Sequence, residues 1–189
     1  MVDEELVTQF QKGDRSAFNS LLDKYQSLVL RTCFRFLNNK EDAEDSAQEV
    51  FIKVYKALDG FQPKAKFSTW LYRITINHCL NMQRNKKRKS FISTINSFNE
   101  VKVGMAHSKQ DETNRPDNNY DHNERLEIIQ RAINSLPEKQ RTAILLSRYE
   151  GLSYKKIAEI MQTSVASVES RLHRAKNTLH QKLQPYFER

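Results

Sequence analysis

Apolar residues return every three or four positions along most of this chain, and that spacing dictates a helical fold. Between Asp3 and Leu37 the recurring set is Leu6, Val7 and Phe10, then Phe18, Leu21, Leu22, Tyr25, Leu28 and Val29. Gly13-Asp14 separates the two runs, and Asn38-Asn39 ends the second. A third helix is predicted from about Glu41 to Leu58, with Val50, Phe51, Val54 and Leu58 on one face, before Gly60 and Pro63 force a loop. Ser68 stands where an N-cap belongs. From there a fourth helix is predicted to about Lys89, with Trp70, Leu71, Ile74 and Leu80 turned inward. Four helices on short connections make a compact all-α domain over residues 1–90.

The period lapses over residues 91–122, a polar stretch rich in Asn and Asp, and a flexible linker is expected there. It resumes with Leu126, Ile128, Ile129 and Ile133, opening a second small helical domain over 123–189. Ser135-Leu136-Pro137-Glu138 has the form of a capping box with an early proline, and a helix to about Tyr149 should follow, with Gly151 as its C-cap.

The segment GLSYKKIAEIMQTSVASVESRLHRAKNTL then reads as a short helix, a tight turn at about Gln162–Ser164, and a longer helix. Ala158 is small where the helices cross, and Ile157, Val165, Val168 and Leu172 form a shared apolar seam. That is the spacing of a helix-turn-helix, whose second helix enters the major groove of DNA. Gln162 occupies the turn position where glycine is usual. The exposed face of the longer helix carries Ser167, Ser170, Arg171, His173, Arg174 and Lys176, donors suited to base edges and phosphates. A solvated polar face is the plainer account of such a row, and charge helps to decide. The chain carries a net +8, yet residues 1–83 net zero, 84–123 net +3 and 124–189 net +5. A surplus confined to particular segments points to a polyanion.

Several classes are excluded. The four glycines, Gly13, Gly60, Gly104 and Gly151, form no cluster, so neither a P-loop nor a dinucleotide-binding turn can be written. Cys33 and Cys79 make neither a disulfide framework nor a zinc set, and each sits in an apolar helical pattern as a packing residue. No metal and no cofactor are expected. MVDEELVTQF opens acidic and is no secretory signal, and no apolar run is long enough to span a bilayer, so a cytoplasmic, reduced protein without membrane insertion is expected.

Taken in order, GDRSAFNSLLDKY, DAEDSAQEVFIKVYKALDGF and FSTWLYRITINHCLNMQRNKKRK resemble region 2 of the extracytoplasmic-function sigma factors, the smallest sigma-70-type subunits of RNA polymerase. SLPEKQRTAILLSRYEGLSYKKIAEIM and SVASVESRLHRAKNTL resemble region 4 of the same family. The resemblance implies a protein without catalytic residues of its own, which partners core RNA polymerase (its β′ clamp helices and β flap) and promoter DNA. Whether an anti-sigma factor also binds is left open.

In the family the helix matching D-A-E-D-x-x-Q-E-V-F packs on the β′ clamp helices, which implies that role for Asp42, Asp45, Gln48 and Glu49. The loop Asp59–Lys66 and FSTWLYR match the promoter-melting segment, where Phe61, Phe67 and Trp70 can replace stacking lost on flipped bases. Trp70 has the stronger claim on the core. Asn77 matches the position near the extruded −10 base, and Arg73, Arg84, Lys86, Lys87 and Arg88 supply phosphate contacts. In region 4, Arg171 and Arg174 match basic positions that read the −35 element, and Arg141 is placed to grip a phosphate. Glu169 stands where the family often has Arg or Lys; a carboxylate accepts from cytosine instead of donating to guanine. Two rivals remain: a helix-turn-helix regulator acting alone on duplex DNA, and a nucleic-acid-processing enzyme.

Overall fold

The structure, a computed structural model, describes residues 2–62, 65–100 and 118–187. Every regular element among them is a helix: α1 (Asp3–Gln11), α2 (Ala17–Leu37), α3 (Lys40–Leu58), α4 (Phe67–Glu100), α5 (Asn118–Asn134), α6 (Glu138–Arg148), α7 (Tyr154–Met161) and α8 (Val165–Phe187).

The first four pack as predicted, with α2 against α1, α3 and α4. Two adjacent asparagines make the sharp α2–α3 corner. Asn38 takes a left-handed φ of 52° and donates its N–H to the Phe34 carbonyl at 2.8 Å, while the Asn39 side chain accepts the Asp42 N–H at 2.9 Å. Asparagine tolerates the first conformation and caps a helix in the second. Inside, Phe10, Leu21, Val29, Phe36, Val50, Val54, Leu58 and Leu71 are almost wholly excluded from water. Phe18 meets Tyr55 edge-on at 5.0 Å and Phe51 at 6.4 Å, binding α2 to α3. Cys33 and Cys79 are buried core residues; Cys33 beside it, and then burial, push the Cys79 thiol up, which suppresses thiolate chemistry.

Three expectations are corrected. Ser68 lies inside the first turn of α4 and not at its cap, because the Thr69 and Trp70 N–H groups already donate to the Lys66 carbonyl. The Ser135 hydroxyl turns back to the Ala132 carbonyl at 2.7 Å, so no capping box forms and Pro137 is the uncapped N-cap of α6. Finally, α4 runs past Lys89 to Glu100 and α5 starts at Asn118, so helix enters the expected linker from both sides. Residues 84–100 contain no Gly or Pro to interrupt the hydrogen-bond ladder, and 84–93 are exposed, so the missing apolar period there marks a solvent-facing helix, not a missing one. The remainder of that segment, 101–117, lies outside the described residues.

In the C-terminal half, α6, α7 and α8 pack mutually around Leu146, Ile157, Val168, Leu172 and Ala175. Gly151, at φ +62°, turns the chain after α6 so that the Leu152 N–H reaches the Leu146 carbonyl at 3.2 Å. The two halves also touch: α4 packs along α7.

Candidate nucleic-acid interface

The helix-turn-helix is built by two caps and one strained residue. Ser153 caps α7 by accepting the Lys156 N–H at 3.3 Å, and Ser164 caps α8 by accepting the Ser167 N–H at 3.2 Å. Between them Gln162 adopts φ 51°, and the Thr163 N–H closes on the Ala158 carbonyl at 3.0 Å, a Schellman turn made without glycine. Ala158 is buried at the crossing, with Ile157, Val168 and Leu172 sealing the seam; Val165, expected there, is exposed at the start of α8.

This geometry presents Ser167, Arg171 and Arg174 along one crevice of 520 Å3, opposite Pro137, Glu138, Lys139 and Gln140 of the α6 entry. Arg171 reaches the Thr163 hydroxyl at 3.5 Å and Arg174 the Ser170 hydroxyl at 2.7 Å. His173, Glu169 and Lys176 are exposed on the same helix. Lys139 was not expected; its signal was its place in the first turn of α6, ahead of a buried run. Arg141 behaves otherwise than predicted. It is buried, its guanidinium donates to the Gln83 side chain, and burial pushes its pKa down. In this arrangement it joins α6 to α4.

On α4 the aromatic set divides. Phe67 is buried against Tyr25 at 5.4 Å, a core residue that cannot stack on a base, whereas Phe61 and Trp70 are half-buried and lie 4.8 Å apart at the rim. Asn77 is exposed, and with Arg73 it lines a 280 Å3 crevice closed on its far side by Glu138, Thr142, Gln162 and Arg171. Arg73 donates to the Glu159 carbonyl at 2.6 and 3.2 Å, and Arg84 is paired with Glu138 at 2.6 Å, which raises its pKa further. Lys86 pairs with Asp42, so two residues given different partners by the sequence hold each other, while Lys87 and Arg88 are exposed.

On α3, Asp45, Gln48 and Glu49 are exposed. Glu49 lies 3.9 Å from Lys53 and 3.8 Å from His78. Gln48 instead lines an open groove of 610 Å3 between α2 and α3, with Leu22, Leu30, Phe51, Ile52 and Tyr55. Ile52, Leu30 and Tyr55 are each 40% exposed or more, an apolar strip that helical periodicity assigns to no core.

The match with known proteins decides the family. Sigma-70 region 2 matches residues 21–89, and Sigma-70, region 4 matches residues 126–179. The chain belongs to the sigma-70 family, in its extracytoplasmic-function branch. It is 38% identical to the RNA polymerase sigma-H factor of Pseudomonas aeruginosa, across 97% of this chain and 94% of that one. It is likewise 38% identical to the ECF RNA polymerase sigma-E factor of Escherichia coli K12, across 100% and 98%. In fold it is similar to CnrH in complex with the cytosolic domain of CnrY (TM-score 0.69, 22% identity, 98% and 99% covered). It is also similar to the sigma factor RpoE of Bartonella quintana in complex with the anti-sigma factor NepR (TM-score 0.60, 23% identity, 88% and 96% covered). Region 2 falls within α2–α4 and region 4 within α5–α8, so the helix-turn-helix lies in region 4. No helix among the described residues is long and apolar enough to cross a membrane.

Proposed function

We propose that this sigma factor divides its work among three surfaces. The chain directs transcription initiation; the finer division is the proposal. The α2–α3 groove, with Asp45, Gln48 and Glu49 beside it, docks core RNA polymerase, an apolar strip between α-helices being suited to a helical partner and the carboxylates to its basic residues. Asn77, Phe61, Trp70 and the cations of α4 take the opened −10 strand, a side-chain amide offering both donor and acceptor to an extruded base. Ser167, Ser170, Arg171, Arg174 and Lys176 read the −35 duplex. Phosphodiester chemistry is left to the polymerase.

The observation that carries this reading is the row Ser167, Arg171 and Arg174 facing one crevice, with no carboxylate among the described residues paired to either arginine. Run-off transcription with purified core polymerase on a pool of genomic promoters tests it. Transcripts that depend on the chain and share two spaced elements are expected. Specific repression by the chain alone, with no transcripts gained, would favour the lone regulator instead.

A further inference from the structure

We propose that Glu169 is a specificity-determining residue of the −35 reader, whose carboxylate selects a cytosine at one position of the element. This deepens the reading of α8 as the helix that enters the duplex, and rests on it.

Helix geometry sets the position. Val168, Leu172 and Ala175 are buried where α8 packs on α6 and α7. On the outward side Ala166, Glu169, Ser170 and His173 follow the i, i+3, i+4, i+7 spacing of a single face, and none of them is buried. A helix-turn-helix presents the N-terminal residues of its second helix to base edges, and Glu169 is the fifth residue of α8. Helix stability does not account for an acid there. A capping box needs its acid at the third position, and that place belongs to Ser167, whose N–H donates to the Ser164 cap.

Charge and chemistry then say what the carboxylate does. Glu169 is the single acidic residue of α8, against four lysines and arginines. It makes no hydrogen bond or ion pair with a described residue; His173, one turn on, lies 3.5 Å from the Asn177 amide instead. Phosphates on both sides of the major groove repel an unpaired carboxylate whatever the sequence, so its contribution is to discrimination and not to affinity. Guanine and thymine show it only acceptors in that groove, at N7, O6 and O4. Adenine sets its amino group beside the N7 acceptor, and cytosine offers the N4 amino group alone. Cytosine is therefore the base at which Glu169 gains a hydrogen bond and meets the least repulsion.

Transcription by core polymerase from a template library tests this. A promoter recovered from the run-off pool is randomised across its −35 element, and the transcripts made with each variant of the full chain are sequenced. The unsubstituted chain is expected to favour cytosine, counted on either strand, at one position by about fivefold or more. Glu169→Ala should flatten that position and leave the others as they were. Glu169→Gln, of nearly the same shape, should move the preference to adenine, whose N6 and N7 a side-chain amide matches. A misfolded protein cannot produce that new preference. A base profile that Glu169→Ala leaves unchanged, or a loss of preference that falls on an A·T pair, overturns the proposal and leaves the −35 reading intact. No base preference anywhere in the element for the unsubstituted chain overturns both.

Discussion

The two cationic helices meet their surroundings differently. On α4, Arg73, Arg84 and Lys86 are each held by a carbonyl or carboxylate. On α8, Arg171 and Arg174 reach, among the described residues, the hydroxyls of Thr163 and Ser170. A hydroxyl is a neutral partner that a phosphate or base edge replaces readily; a carboxylate competes for the cation. The cations of α8 are therefore poised on the surface, and those of α4 are guarded.

The comparison can be broken or sharpened at four points. The largest effect is expected at the proposed docking face on α3, away from the α4–α7 contact. Asp45→Lys with Glu49→Lys should reduce capture by core polymerase about a hundredfold or more, since like charges across an interface cost several kcal/mol. The melting temperature should barely move, both side chains being exposed. A pull-down beside a thermal melt reads both, and an unfolded double variant would show that the face was buried.

Next comes the independence of the halves. Leu71→Ala in the α4 core should cost about 2–5 kcal/mol, and Leu146→Ala a similar amount in α6. Trp70, the single tryptophan, reports on the N-terminal half alone. In guanidinium titration its fluorescence transition should move with Leu71→Ala and stay near wild type with Leu146→Ala. Equal shifts would mean that the halves unfold as one unit and that the guarded and poised helices are not separable.

A smaller effect separates the readers. Arg171→Ala should lose about 1–3 kcal/mol of discrimination at the −35 element if it makes a bidentate base contact, while Asn77→Ala should weaken selectivity only at the −10 element. Transcription from templates altered singly in each element measures this, and crossed effects would end the division of labour.

The smallest is a pH dependence confined to the N-terminal half. Burial, then Lys53, pushes the His78 pKa down, against the opposing pull of Glu49. A depressed histidine favours the neutral form in the folded state, so the stability it supports is present above its unfolded value near 6.5 and is lost as pH falls through the folded one. The Trp70 transition should weaken on acidification below neutral, and His78→Gln should flatten that slope.

Most of the helices could be read from spacing because their signals are local. Leu6, Val7 and Phe10 lie within one turn or so of each other, and Asn38-Asn39 declares a corner by composition alone. The helix-turn-helix was legible for the same reason, down to the turn at Gln162. What could not be read depends on distant partners. Ser135 had a capping-box neighbourhood, but Lys182, 47 residues on, holds its hydroxyl at 2.7 Å. Arg141 has the composition of a phosphate ligand and is turned inward by Gln83, 58 residues away. Glu150 looks like any surface acid; its partners Tyr72 and Arg31 stand 78 and 119 residues back, a separation that leaves no periodic trace. Phe67 was misjudged because an aromatic beside a melting loop and an aromatic in a core have the same local sequence.

The Glu150 carboxylate has a consequence for how firmly the two halves are joined. One oxygen, Oε2, meets Arg31 of α2 and the Tyr72 hydroxyl of α4, while Oε1 is buried with no hydrogen-bond partner among the described residues. A buried oxygen in that state costs about 1–3 kcal/mol, so the seam between the halves is weaker by that margin than a fully satisfied one.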